Sequence, residues 1–560
     1  MKKNVVLLGL SILLASCSFD ISIGGNNSSF ISTNSSNVTS LVTTPNTSNS
    51  ENSTPTISST TNVNTNLPPS TTPVAPTTPV TVDRKINLFG INDFHGSVVA
   101  NGYEGGILKI GSYFKSKGQE ENTLLINAGD MWQGSIDSNH NYGKLLTECM
   151  NYIEFDAFTL GNHEFDWGQK YIEENRKLKD EVTSYQTPFL SANIYRYDMA
   201  TGKTKEFADN LGDKYVIKTL ENGLRVGIIG VIGKGQITSI TSTFVDDLTF
   251  LEPTDVIKEV SDDLRMNHNV DVIIANVHED QEELLNKGIT GISSVSNKRY
   301  VDAVFCAHTH QNETTVENGV PFVQAAYNGR SFSEISLNVT PSGEVTATKY
   351  AYNYSSTISV SEDSKLKDII DKYKALSDPI GSEKLINSNG TLTSKGTLMN
   401  LVTTAMYKEA IKQGFNVSYA ITNSGRDDLE SGTVTYSDLY KSLPFDNEVY
   451  IIDVSGSALK KEIGYSSTGM YRADKTAIST SKTYRIAVID YMAVHRNIYR
   501  NYDYFSGFKY IDKLKLEGQE FYNFRDITAD YLRSLSSDLD VSDFSSSLNQ
   551  FNKSKITSNI

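Results

Sequence analysis

The chain has 560 residues and a net charge of −15, with only three cysteines. That length is too great for one ordinary domain, and so acidic a chain has no overall basic field to draw in a nucleic-acid polymer. Three cysteines are also too few for a disulfide scaffold, so any core has to be held by apolar burial.

Met1-Lys2-Lys3-Asn4 is a short basic head, Val5 to Ala15 an apolar run, and Leu14-Ala15-Ser16-Cys17 has the form of a bacterial lipoprotein cleavage site. The run is too short to span a bilayer, so residues 1–17 predict a removable signal that leaves Cys17 as a lipidated N-terminus and ties the protein to a membrane. More than one acyl chain there would give stable anchoring. The alternative is an ordinary secretory signal with Cys17 incidental. Residues 18–83 are rich in Ser, Thr, Asn and Pro and, before Asp83, are charged only at Asp20 and Glu51. Such a stretch cannot bury enough surface to offset its ordering entropy and predicts a disordered tether reaching on the order of 40–50 Å.

Beyond it, short apolar runs close on polar punctuation, the pattern of strands buried on both faces. Ile86 to Ile91 runs into Asn92-Asp93-Phe94-His95-Gly96, and Thr123 to Asn127 into Ala128-Gly129-Asp130-Met131-Trp132-Gln133-Gly134-Ser135. Asp156 to Leu160 runs into Gly161-Asn162-His163-Glu164-Phe165-Asp166-Trp167-Gly168. Val270 to Val277 ends at His278, and Val301 to Ala307 at His308-Thr309-His310. Helical spacing marks 104–117, 142–152 and 254–266, and a further buried strand covers 224–232. Strands are expected over 320–326, 333–339 and 344–354; residues 191–221 give little information. Cys149 and Cys306 lie in apolar runs and read as reduced core residues.

Ligands bind at the carboxyl ends of such strands, so five loops are expected to share one rim. They bring together two aspartates, one asparagine and five of the chain's eight histidines. Imidazole and carboxylate in that proportion suit divalent transition ions rather than a calcium or magnesium cage, and a bridging carboxylate suits a pair about 3.5–4 Å apart. Asp166 could orient His163 from three residues away.

In order and spacing, the motifs that begin at Asn92, Gly129 and Gly161, together with His308-Thr309-His310, resemble the calcineurin-like metallophosphoesterases, and more narrowly the 5'-nucleotidase and UDP-sugar hydrolase family. The resemblance implies an α/β fold, a four-layer sandwich of two sheets flanked by helices over residues 84–357, followed by a C-terminal α/β substrate-binding domain. It implies two divalent ions (zinc, manganese or similar): Asp93, His95 and His310 around one, Asn162, His278 and His308 around the other, and Asp130 between them. His163 would face the phosphate and stabilise its developing charge, with Asp166 as its partner. The sequence departs from the family at His278-Glu279-Asp280-Gln281, where Glu279 and Asp280 are expected to open the next helix at the positive end of its dipole.

Residues 358–380 predict a linker helix with apolar positions Leu366, Ile369, Ile370, Tyr373 and Leu376, caps at Ser361 or Ser364, and an end at Pro379-Ile380-Gly381. Residues 381–535 are expected to form the second domain. There Asn423-Ser424-Gly425-Arg426 and Pro444-Phe445-Asp446-Asn447 resemble the family's nucleotide-binding stretches, though the first loop is two residues shorter. By that resemblance Asn423 would meet the ribose, Arg426 the phosphate, and Phe445 and Tyr491 the two faces of the base; a guanidinium pairs with phosphate and an aromatic face stacks on a base. After Tyr491 the family's glycine turn is replaced by His495, Arg496 and Asn497, and the arginine expected near Lys395 is missing. A helix is expected after Asp526, and residues 536–560 read as a polar, frayed tail.

The sequence therefore predicts an extracytoplasmic, lipid-anchored metal-dependent phosphatase acting on nucleotides, with no nucleic-acid polymer as partner. A 2',3'-cyclic-nucleotide phosphodiesterase with 3'-nucleotidase activity and a UDP-sugar hydrolase use the same metal core. A surface receptor or adhesin on a retired scaffold is the reading from another class, opposed by the intact ligand set. A sulfur-compound hydrolase is opposed by Asn423, Arg426 and Phe445.

Overall fold

The computed structural model describes residues 82–545, apart from 463–468, 473–476, 495, 498–501, 504, 506 and 519–521. The expected signal, Cys17 and most of the tether lie outside the described residues. No helix among the described residues is long and apolar enough to cross a membrane.

Two six-stranded sheets face each other. The first runs Val345–Tyr354, Ser331–Val339, Arg84–Ile91, Thr123–Asn127, Ala157–Thr159, Phe189–Leu190, its last four strands parallel. The second runs Asn312–Glu317, Val320–Ala325, Ala303–Phe305, Val272–His278, Arg225–Ile232, Tyr215–Thr219, with a parallel centre of four. Side-chain parity explains the continuous apolar runs. Ile86 and Leu88 pack between the sheets against Val226, Ile228, Val272 and Ile274. Their odd-numbered neighbours Phe89 and Ile91 turn to the other face, under the helices Gly106–Gly118 and Lys144–Ile153. Ile273, Ala275 and Val277 likewise face the helix Pro253–Asn267. Helix, sheet, sheet, helix is the expected four-layer order. Contact between the sheets is close: a Cβ on Gly90 would lie 2.5 Å from the Phe305 ring.

The uninformative segment 191–221 contains Ile194–Asp198 and Lys203–Phe207, which pair with Leu248–Phe250 in a small sheet, and the edge strand Tyr215–Thr219. Glu279 and Asp280 do not open an α-helix. Asp280 caps a single 3-10 turn, Gln281–Glu283, and Glu279 folds inward to accept from Gln236 and from the Asp280 amide.

The linker helix is Ser364–Gly381, with Pro379 inside its last turn. Its cap is Asp363, whose carboxylate accepts from the Lys365 and Leu366 amides, not Ser361 or Ser364; Leu376 is exposed. The following part is built on the five-stranded sheet Gly469–Arg472, Tyr419–Thr422, Thr483–Ile489, Val449–Ser455, Lys509–Lys513, covered by Thr397–Lys412 and the C-terminal helix Phe524–Ser534. Residues 536–545, expected to fray, pack instead: Leu539 and Phe544 enter this core, and Asn400 donates to the Phe544 carbonyl at 2.7 Å. Their apolar side chains are too sparse to stand out in a serine-rich sequence.

One residue crosses over. Ile136 opens a four-residue helix, Ile136–Asn139, just after the Asp130 loop, yet it is buried in the core of the second part.

Candidate metal centre and substrate cleft

All five loops leave the carboxyl ends of central strands and meet on one rim. Asp93, His95 and His310 offer ligand atoms within 4.8 Å of one another, as do Asp130, His278 and His308, and as do His95, Asp130 and His163. His95 Nε2 is 2.9 Å from His310 Nε2, and His278 Nε2 is 3.2 Å from Asp130 Oδ2. Asn162 Oδ1 stands 3.2 Å from both His278 Nε2 and His308 Nδ1. The structure thus brings all seven expected ligands together, with Asp130 between the two groups.

Backbone geometry aims these side chains. Asp93, His95, Asp130, His308 and His310 all have positive φ, between 47° and 76°. For residues with a Cβ this region costs roughly 1–2 kcal/mol each, and such strain persists only where the surroundings impose it. Here they do. Asp93 N donates to Gly129 O and His95 N to Asp130 O, while His308 N donates to Asp93 Oδ2 at 2.9 Å. His163 N donates to Asp130 Oδ1 at 2.8 Å, and Gly161 has to be glycine because a Cβ would fall 2.2 Å from that same oxygen.

Electrostatics favour cations here. Burial lifts the Asp93 carboxyl to about 7, with Asp130 adding to the lift and His278 opposing it. Burial opposes protonation of His278, but Asp130 outweighs it and draws that imidazole up to about 10. Burial also pushes His308 down to about 3 and depresses His95 and His310, keeping those three rings in the neutral, ligating form. His278 Nδ1 donates to Ala128 O at 2.8 Å, which leaves Nε2 for the centre. Three neutral imidazoles, an amide oxygen and two carboxylates, with a fourth imidazole, His278, that would release its proton on binding, fit a pair of divalent ions.

Beside this cluster, His163 Nδ1 meets Asp166 Oδ2 at 2.7 Å, so its Nε2 faces the cleft. The second part of the chain reaches that atom: Arg426 Nη2 is 3.2 Å away, and the Phe445 ring lies 5.7 Å from the His163 ring. Asn423 follows the strand Tyr419–Thr422 and is half-buried. Tyr491 sits in the short helix Asp490–Val494, where Asp490 Oδ1 accepts from the Tyr491 amide and from Asn447 Nδ2. His495 lies outside the described residues, as do the side chains of Arg496 and Asn497.

Residues 86–312 match the calcineurin-like phosphoesterases, and residues 379–468 match the 5'-nucleotidase C-terminal domain. The chain belongs to the calcineurin-like metallophosphoesterases, with a 5'-nucleotidase C-terminal domain. Endonuclease YhcR of Bacillus subtilis is 26% identical over 458 residues, covering 73% of this chain and 37% of that protein. A 5'-nucleotidase of Vibrio cholerae is 25% identical over 422 residues, covering 66% of this chain and 74% of that one. This phosphoesterase therefore spans little more than a third of the endonuclease's length. The crystal structure of a 5'-nucleotidase precursor from Thermus thermophilus superimposes with a TM-score of 0.65 at 18% identity, over 81% of this chain and 97% of that one, and so shares the fold.

Three residues of the phosphoesterase escaped the sequence reading. Glu164, wholly buried, accepts from the amides of Asp130, Met131, Trp132 and Gly161, and so stitches the Asp130 loop to the His163 loop. Its position three residues after Gly161 is a capping-box spacing that could have signalled it. Asn139 and Arg525 hold the Phe445 loop, and no local pattern marks either of them.

Proposed function

We propose that this chain is an extracytoplasmic metal-dependent phosphatase of the 5'-nucleotidase type, releasing phosphate from nucleotides. The observation that carries the reading is the meeting of Arg426 and Phe445 with His163 at the edge of the ligand cluster. A guanidinium and an aromatic ring, both from the C-terminal domain, stand where a phosphate bearing a base would need them.

Asp93, His95, His310 and Asp130 would hold one ion, and Asn162, His278, His308 and Asp130 the other. When bound, the pair supplies positive charge against the phosphoryl oxygens and lowers the pKa of the attacking water. The protein's own groups do the rest. Burial opposes protonation of His163, but Asp166 and Asp130 outweigh it and raise its pKa, so Nε2 can present a proton to a phosphoryl oxygen. Arg426 pairs with the same phosphate, Phe445 and Tyr491 hold the base, and Asn423 meets the ribose. Catalysis of this kind is positioning and charge stabilisation more than covalent chemistry.

The basic head, apolar run and Cys17 support export and lipid attachment, and the sparsely charged, Ser/Thr/Asn/Pro-rich stretch 18–83 supports a tether between membrane and enzyme. Acyl labelling of the protein and of Cys17→Ser tests the anchor: label that persists in the variant overturns it.

Activity is tested by phosphate release from AMP, 2',3'-cyclic AMP, UDP-glucose and glycerol phosphate with added manganese or zinc, beside Asp130→Ala and His163→Ala; plasmid DNA tests nuclease action. Metal-dependent preference for AMP, lost in both variants, supports the reading. Preference for the cyclic or sugar substrate reassigns specificity within the same site. No turnover by folded, metal-loaded protein overturns it.

A further inference from the structure

Four consecutive main-chain carbonyls lead to Phe445, and each has a donor. Ser442 O accepts from the Arg426 amide at 2.9 Å. Leu443 O accepts from Arg525 Nη1 at 3.1 Å, Pro444 O from Asn139 Nδ2 at 3.0 Å, and Phe445 O again from Arg525 Nη1 at 3.2 Å. Arg525 Nη2 meets Asp446 Oδ1 at 2.6 Å and its Nε meets the Tyr436 hydroxyl at 3.3 Å. The guanidinium carbon lies 3.6 Å from the centre of the Tyr440 ring. Arg525 is 3% exposed, so almost every donor of a buried guanidinium is spent on the loop that presents Phe445 or on the helix leading into it.

We propose that Arg525 is the positioning residue for Phe445, and that it sets the enzyme's preference for phosphates carrying a flat base over phosphates carrying none. The proposal rests on the nucleotide reading above and adds a residue to it. A loop carrying a stacking ring gains nothing from the ring unless its backbone is fixed, because ordering it on binding would consume the stacking energy. A planar fork on an aromatic face can hold two carbonyls and a carboxylate at once; an ammonium cannot reproduce that geometry.

Arg525 is separable from the fold that carries it. The C-terminal helix is seated without it: Phe524 N donates to Asn447 O at 2.9 Å, Asn523 caps the helix through the Asp526 amide, and Ile527, Ala529 and Leu532 enter the core. Replacing the guanidinium therefore releases the loop while the helix stays docked.

The test uses the full-length, metal-loaded protein with Arg525→Lys, Phe445→Leu and the double variant. KM and kcat are measured for AMP and for glycerol phosphate, which has no ring. The expected result is an AMP preference reduced about tenfold in Arg525→Lys, mainly through KM, with the double variant close to Phe445→Leu because both changes remove one interaction. Equal losses for both substrates, or single-variant losses that multiply in the double variant, overturn the proposal. Hydrogen exchange over residues 443–447 gives a reading that needs no substrate: exchange at least about tenfold faster in Arg525→Lys supports the proposal, and unchanged exchange overturns it. If the wild type shows no AMP preference, the nucleotide reading fails by itself and the exchange result still decides the role of Arg525. Asp446→Asn, which weakens one of Arg525's contacts, should shift the preference in the same direction by less; no shift in either variant overturns the proposal.

Discussion

Arg426 Nη2 stands 3.2 Å from His163 Nε2, although one residue belongs to the C-terminal domain and the other to the loop after a phosphoesterase strand. Both groups therefore face one cleft, and under the proposed nucleotidase function they would address the same phosphoryl group. Arg426→Ala should lower kcat/KM for a nucleotide about 10²-fold or more, through both KM and kcat, since the guanidinium meets charge in the ground state and in the transition state. A loss confined to KM would show that Arg426 binds substrate uniformly. Steady-state kinetics at saturating metal decide between the two.

Asp166 is His163's only carboxylate at hydrogen-bonding distance from Nδ1 among the described residues. Asp166→Asn keeps the shape but removes the charge that holds the proton on the ring. The expected loss is in kcat, about 10²-fold, with KM for the nucleotide little changed. An unaltered kcat would remove His163 from proton handling.

Glu164→Gln replaces a carboxylate oxygen that accepts main-chain amides with an NH₂ that cannot. At least one buried amide then loses its acceptor, at a cost of about 1–3 kcal/mol. Because those amides flank Asp130, divalent-ion affinity should also fall about 10–100-fold. Melting temperature and metal titration, read on the same preparation, test both. Lower stability with intact affinity would limit Glu164 to holding the fold.

Burial pushes the Asp490 carboxyl from 3.8 up to about 6, even though Asn447 and main-chain amides oppose the rise. The folded protein then binds this proton more tightly than the unfolded chain does. By linkage this contribution to stability is fully present below about pH 4, falls as pH rises toward 6, and is flat above that. Asp490→Asn should flatten that decline and narrow the difference from wild type below pH 4. Denaturation midpoints of both proteins from about pH 3 to 8 check the sign; parallel curves would contradict it.

The strands and their loops were legible because burial on both faces writes itself as apolar runs, as in Ile86 to Ile91 and Val270 to Val277, and because polar residues at strand ends stand out against them. Residue chemistry at the strand ends made the cluster of aspartates, asparagine and histidines stand out, and the resemblance to the metallophosphoesterases supplied its expected division between two ions. The linker helix was found by periodicity, but its cap was misplaced because Asp363 and its serine neighbours offer equivalent oxygens, and only the backbone decides which of them reaches the amides. Residues 191–221 gave no signal because their strands are short and partly exposed. Arg525 and Asn139 were invisible for a different reason: their partners are carbonyls some eighty and some three hundred residues away, and a carbonyl has no residue type.

The helix Ile136–Asn139 ties the Asp130 loop to the other half of the molecule: Ile136 is buried there, Asn139 reaches Pro444, and Asn139 Oδ1 accepts from Gly134 N at 2.9 Å. Its consequence is for recombination. A C-terminal domain borrowed from a relative to change specificity would arrive with a cavity shaped for a different residue at 136 and a loop carbonyl lacking its donor. The natural seam for exchanging these halves is thus not the linker alone but the linker together with those four residues.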